Sequence, residues 1–291
     1  MKFKEFNSKE LDIKSIYHLL ISGISPRPIA LVSSINKEGH CNLAPFSFFN
    51  AFGANPPIIG FSPALSGRTG LPKDTLLNIK EVGEFTVSIV NSLMVEQISL
   101  SSCEFDKNID EFKKSGLTKF QSEFIKPYGV LESNFIMECK LYDILELGKK
   151  PASGNLILGE VLKFHISESI IDSNNQIDPF KLDPIARNGG SWYTDTKKGL
   201  FELKKPKNIG IGFDQLPNYI LNTNLTGNEL AQLASVESIP SYKQNKYSFS
   251  NIEDVDVPPS QVILSIKVKL KEEKVDIAWQ LVLYLGVLLD D

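Results

Sequence analysis

Over the first two thirds of the chain the apolar residues fall in short runs bounded by Gly, Pro or Asn, a pattern that suits strands. Ile29–Ile35, Pro57–Phe61 and Glu84–Val90 are rich in β-branched and aromatic residues. Asn134–Leu147 alternates in part, and Asn155–Ser167 is a long extended pattern interrupted by Gly159. Helical spacing is confined to shorter pieces between them. Asp74–Val82 begins at a capping Asp74 and brings Leu76, Leu77, Ile79 and Val82 near one face, and Leu93–Ser101 and Asp110–Ser115 are further helix candidates. Many short strands with a few helices predict a mainly β (α+β) chain built on a barrel-like domain rather than a parallel sheet.

The last third changes character. Thr226-Gly227-Asn228-Glu229 has the form of a capping box opening a helix through Ala234. Pro240–Asn251 is polar and poorly patterned, which predicts a linker. Beyond Pro258-Pro259-Ser260 come two apolar segments, Gln261–Lys271 and Val275–Leu289, parted by Glu272-Glu273-Lys274. From its pattern the first suits strand or helix alike. A tail this apolar must pack on something, either its own barrel or a second subunit.

One segment departs from ordinary strand chemistry. After a turn at Asn36-Lys37-Glu38-Gly39, where Gly39 is free to take a positive φ, the chain continues as Asn42-Leu43-Ala44-Pro45-Phe46-Ser47-Phe48-Phe49-Asn50. Pro45 removes a ladder donor, so this piece must be an edge, a bulge or a wall of exposed backbone. Backbone amides beside aromatic and small polar side chains suit a flat ring ligand that accepts hydrogen bonds.

Charge and composition narrow the alternatives. The chain has 291 residues, enough to bury a substantial core. A net charge of −4 with no basic run gives no reason to expect nucleic acid or an anionic membrane as partner. The N-terminal residues lack a signal peptide's apolar core, and Val275–Leu289 is short for a membrane span, so a cytoplasmic location is the expectation. Cys41, Cys103 and Cys139 form no CxxC pair and read as buried or half-buried thiols. His18, His40 and His165 show no metal-ligand spacing, and no catalytic metal is expected.

The ordered segments RPIALVSS, NLAPFSFFNA, NPP, KDTLLNI and GEFTVSIVN resemble the flavin reductase-like proteins with an FMN-binding split barrel, a group that includes flavoredoxins and the reductase components of two-component monooxygenases. The resemblance covers roughly residues 20–200 and continues more weakly through 213–234. It implies a split-barrel domain over 1–205 with peripheral helices, then a mostly helical extension over 206–291, with a helical pair at its end. It also implies a homodimer with FMN near the subunit boundary. Hydride would pass from NADH or NADPH to FMN, and then to free flavin or an electron-acceptor protein. A flavoredoxin-like carrier reduced by another protein, or a flavin-binding protein with little turnover, are the alternatives.

Within that frame the candidate residues take roles. Lys73, Asp74, Thr75 and Asn78 place a cation, a capping carboxylate, a hydroxyl and an amide at a helix start, which the free N–H groups and the dipole make an anion site. By spacing alone this is also what a plain capped surface helix looks like; the resemblance favours the FMN phosphate, with Arg68 brought up by the loop before it. Asn42, Ala44, Pro45, Phe46 and Ser47 would cradle the isoalloxazine, with Phe48 and Phe49 assigned to the core. Arg27 either approaches the phosphate or the ring, or is a structural turn arginine paired with a carboxylate. Ser33 and Ser34 alternate faces, so at most one reaches the ligand. Arg187 and Tyr193, from a segment similar to the family's Arg-Gly-Gly-Tyr, would face the side where a nicotinamide enters; without the resemblance the segment reads as a Gly-rich surface loop.

Overall fold

The strand Cys41–Phe46 runs into the strand Phe49–Ala54 through only Ser47 and Phe48, yet the two lie at opposite edges of one seven-stranded sheet. Three Cα–Cα steps of about 3.8 Å separate Phe46 from Phe49, so the two edges can stand no more than about 11 Å apart there. A sheet whose two edges are tied this closely has to curl until they meet. The result is a barrel split along one seam.

The structure, a computed structural model, describes residues 1–107, 109–203, 209–243 and 257–290. The chain divides into two units, Met1–Phe201 and Glu202–Asp291. The first contains, in order, α1 (Ile13–Gly23), β1 (Arg27–Pro28), β2 (Ala30–Ile35), β3 (Cys41–Phe46), β4 (Phe49–Ala54), β5 (Pro57–Phe61), α2 (Asp74–Val82) and β6 (Glu84–Ile89). It continues with α3 (Val95–Ser101), α4 (Glu111–Ser115), β7 (Lys119–Phe120), β8 (Gly129–Val130), β9 (Phe135–Glu146), β10 (Asn155–Ile166), α5 (Pro179–Leu182), β11 (Ile185–Arg187) and β12 (Tyr193–Asp195). The large sheet has the order β3-β2-β6-β9-β10-β5-β4, and every pairing in it is antiparallel. The expected split barrel in an α+β chain is therefore present.

Burial explains the run of apolar residues at Ile29–Ile35. One face of β2 sends Leu31 and Ile35, with Leu43, against Met94, Ile98 and Phe112 of the helical layer. The other sends Ala30 and Val32 into a core with Phe61, Phe85, Val87 and Ile157, closed by Leu76 and Ile79 of α2. With both faces covered, no polar alternation can appear. Pro45 sits on β3, an edge strand, where a missing donor breaks no inner ladder. Gly39 has φ +83° in the turn before it, and its N–H donates to the Asn36 carbonyl at 3.0 Å.

Several elements depart from expectation. The helix α1 had not been foreseen, although Asp12 caps it by accepting from the Ser15 N–H. The segment around Arg187, a loop by its own composition, contains β11 and β12, and β11 pairs with β1 on one side and β12 on the other in a second sheet. Cys103 is exposed, not half-buried like its expected class, whereas Cys41 and Cys139 are buried. His165 Nε2 donates to the buried Glu138 carboxylate, to Oε1 at 2.6 Å. Among the described residues no group of three His, Cys, Asp or Glu could hold a metal ion, and no helix is long and apolar enough to cross a membrane.

The second unit contains α6 (Asn218–Leu221), α7 (Gly227–Ala234), α8 (Pro259–Lys271) and α9 (Val275–Asp290). Thr226 and Glu229 form the capping box in full. The segment open to strand or helix is the helix α8, and with α9 it encloses its own core around Trp279, whose indole Nε1 donates to the Leu233 carbonyl at 2.9 Å. From residue 244 the polar stretch 240–251 lies outside the described residues.

Gly159 tests the barrel's packing. It lies at a register break in β10, and a Cβ there would strike the ring of Phe85, which is fully buried. Gly159→Ala should lower stability by about 1–3 kcal/mol, the usual cost of overpacking, read from the urea unfolding midpoint.

Candidate functional site

The seam carries two concave surfaces of the first unit. A cavity of about 370 Å³ is lined by β3 residues Asn42–Phe46, by Arg68 and Lys73–Thr75, and by Ser101–Phe105 with Glu111. A second, of about 740 Å³, continues past Phe46 to Ser47 and Phe48, Ala64–Arg68 and the α1 residues Ile13 and Tyr17. Both are lined by Pro45, Phe46, Ser66, Arg68, Lys73 and Glu104. Their volumes fall in the range of small-molecule sites.

The local fold makes this surface. The Leu43 N–H points away from β2 and donates to Glu111 Oε2 at 3.0 Å. Two residues on, Pro45 has no N–H to offer at the corresponding outward position. Phe46 forms the wall, its ring 5.2 Å from Phe61, which in turn lies 5.5 Å from Phe85. That aromatic row fixes the wall to the barrel core.

The helix α2 supplies the charged end. Its N-cap is Lys73, and no side chain caps it; Asp74 is the first helical residue and not the capping carboxylate expected. The Leu76 N–H donates to the Lys73 carbonyl at 3.0 Å, and the N–H groups of Asp74 and Thr75 stand at the uncapped start beside the cavity that these residues line. Two side-chain bonds fasten this helix to the sheet. Asn42 Nδ2 donates to Thr75 Oγ1 at 2.8 Å, and Asn78 Nδ2 donates to Ser34 Oγ at 3.2 Å.

Electrostatics at the charged end centre on Glu104. Its carboxylate lies 3.4 Å from Lys73 Nζ and pairs with the Arg68 guanidinium. Lys73 first and Arg68 second hold the Glu104 carboxyl below its ordinary range. Glu111 goes the other way: burial pushes its carboxyl up, against the opposing bond from the Leu43 N–H. A carboxylate already seated between two cations at an open helix start shows that this end of the cavity accepts an anion, and the apolar wall beside it accepts a ring. The residues present therefore fit a phosphorylated flavin.

Not all expected site residues meet there. Ala44, Pro45, Phe46, Lys73, Asp74, Thr75 and Asn42 line the smaller cavity, and Ser47 the larger. Ser33 and Ser34 are both fully buried and neither reaches a cavity; Ser33 Oγ has no partner. Asn78, bonded to Ser34, lines neither of the two. Arg27 is buried, and its partners are carbonyls, not the carboxylate considered from sequence. It donates to the carbonyls of Ile21, Ile24 and Asn188 and reaches Ser47 Oγ at 3.4 Å. Phe48, assigned to the core, is instead exposed at the seam, 6.5 Å from Tyr17; Phe49 packs against the core as expected. Arg187 stacks on Tyr193 at 4.4 Å and lines neither cavity. Glu104, Glu111 and Tyr17 were missed. Only Tyr17 left a signal, the helical spacing of Ile13, Tyr17, Leu20 and Ile24 behind Asp12.

Comparison with known proteins now adds to this geometry. The flavin reductase like domain matches residues 22–179. Nitrilotriacetate monooxygenase component B from Bacillus cereus is 36% identical, with TM-score 0.65 over 70% of this chain and 99% of that one. The 2-nitrobenzoate 2-nitroreductase NbaA of Pseudomonas fluorescens is 30% identical, with TM-score 0.63 over 74% of this chain and 99% of its own. An uncharacterized protein of Aquifex aeolicus is 36% identical over 189 residues, 65% of this chain and 94% of the relative. The chain belongs to the flavin reductase-like family, split-barrel proteins of flavin-dependent oxidation and reduction.

Arg27 ties its own strand to the end of α1 and to Asn188 by donating to the carbonyls of Ile21, Ile24 and Asn188. Arg27→Met should destabilise the protein by about 1.5–3 kcal/mol, the worth of hydrogen bonds to a charged group, read from the denaturant midpoint. An unchanged midpoint would remove its structural role.

Proposed function

We propose that the protein binds FMN at the seam and works as an NAD(P)H-dependent flavin reductase, passing electrons to free flavin or to an acceptor protein. The observation that carries this reading is the conjunction of Lys73, Arg68 and the uncapped start of α2 at one end of an apolar, backbone-walled cavity. The names of the relatives, a monooxygenase component and a nitroreductase, support a redox role.

Bound FMN supplies a hydride acceptor at N5 and a reduced ring that can pass electrons on. The chain's residues hold and shield it. Lys73 and Arg68 bind the phosphate with charge-assisted bonds, and the N–H groups of Asp74 and Thr75 add their dipole. Pro45 and Phe46 exclude water from one face of the ring, and the backbone at Ala44–Ser47 orients its polar edge. Arg27 acts as a positioning residue through Ser47. Arg187, stacked on Tyr193 outside both cavities, would act on the negative charge of the reduced ring only from a distance. Its strand pairs with β1, whose Arg27 reaches the seam.

The test is a visible spectrum of the protein with FMN, before and after anaerobic NADH or NADPH. Bleaching of a bound flavin band within seconds is the expected result. A band that yields only to dithionite would contradict the nicotinamide step and leave a carrier fed by a protein. Failure to bind FMN would contradict the whole reading.

A homodimer is part of the same proposal. The last strand of the sheet, β4, is exposed from Asn50 to Ala54, and Ile13, Tyr17 and Leu20 of α1, with Ile24 just past its end, are exposed apolar side chains. Sedimentation velocity should give the mass of two chains, and Tyr17→Glu should shift it toward one. A wild-type protein that sediments as one chain at micromolar concentration would refute the dimer.

A further inference from the structure

Among the described residues Glu104 is the carboxylate that pairs with both Arg68 and Lys73 of the smaller cavity. It stands on the segment that follows α3, where Ser101–Phe105 forms one wall of the smaller cavity. One carboxylate oxygen is 3.4 Å from Lys73 Nζ, and the other pairs with Arg68 Nη2. Lys73 caps the start of α2 and Arg68 lies in the loop before it, so the carboxylate joins that start and that loop to the segment after α3. It also lines both cavities, at the border between them.

We infer that Glu104 is a built-in competitor at the anion end of the seam: its carboxylate occupies the phosphate position in the free protein and is displaced by the phosphomonoester of the incoming cofactor. This rests on the reading of the seam as the FMN site. The chemistry is an exchange of anions. A carboxylate carries one negative charge, whereas a phosphomonoester carries close to two at neutral pH and offers three acceptor oxygens. Arg68, Lys73 and Glu104 all keep more than a third of their side-chain surface in solvent. Pairs so exposed are weak, and a dianion that adds the N–H groups of the α2 start outcompetes them.

Two consequences follow for ligand choice. A flavin without phosphate cannot replace the carboxylate, so Glu104 leaves the cations satisfied and riboflavin gains nothing from them. Free inorganic phosphate can replace it but lacks the ring that Phe46 and Pro45 contact. Glu104 therefore lowers the affinity of the seam for every anion, FMN and phosphate alike, and leaves riboflavin binding as it is.

The test is equilibrium binding of FMN, riboflavin and inorganic phosphate to the full chain and to Glu104→Gln, followed by flavin fluorescence and, for phosphate, by competition against FMN. Glu104→Gln should bind FMN about two- to five-fold tighter, the range set by the worth of an exposed ion pair, and phosphate should compete better. Riboflavin binding should not change, and the gain should disappear when Lys73 and Arg68 are both replaced by Gln. Wild-type binding of FMN with no gain in Glu104→Gln would overturn the inference and leave the site reading standing. Equal gains for FMN and riboflavin would also overturn it, since the effect would not belong to the phosphate. No FMN binding by the wild type would overturn the site reading itself.

Discussion

The two-residue link at Ser47 and Phe48 is the constraint on which the rest of the first unit depends. It ties the two edges of a seven-stranded sheet together, so the sheet must close and yet cannot pair across its seam. Backbone that would be hidden in a complete barrel stays available there. Exposed edges are a liability in most proteins. Here Pro45 removes one outward donor, the Glu111 carboxylate takes the neighbouring Leu43 N–H, and α1 is bound down over the seam by Arg27.

The charged end of the site follows from how α2 is held. Asn42 to Thr75 and Asn78 to Ser34 attach the helix to β3 and β2, so its start is fixed relative to the seam. Because no side chain caps that start, its N–H groups and the Lys73 cation act together. The apolar wall is as firmly placed, since Phe46 leans on Phe61 and Phe61 on Phe85. In the proposed site a flavin phosphate and a flavin ring would meet two surfaces whose separation is set by the barrel.

Local chemistry was legible where the cause was local. The strand Pro57–Phe61, the helix Asp74–Val82 and the Thr226 capping box were readable because turn residues, period and cap lie within a few positions of one another. The edge position of β3 followed from one proline. Long-range partners were not legible. Arg27 sits between two prolines, but its acceptors belong to α1 and to Asn188. Glu104 meets Lys73 only because the chain returns after 31 residues. Phe48 and Phe49 look equivalent in sequence; the seam turns one outward and the other into the core. Ser33 and Ser34 were assigned by strand alternation to one ligand-facing residue at most, and both are covered because α2 lies on one face of β2 and the α3–α4 layer on the other.

The central claim is that the seam holds FMN with its phosphate at the start of α2. A crystal structure of the protein with FMN tests it most directly. The account predicts phosphate oxygens within hydrogen-bond distance of Lys73 Nζ and the Thr75 N–H, with the ring against Pro45 and Phe46. A flavin bound elsewhere, or with its phosphate away from Lys73, would contradict it.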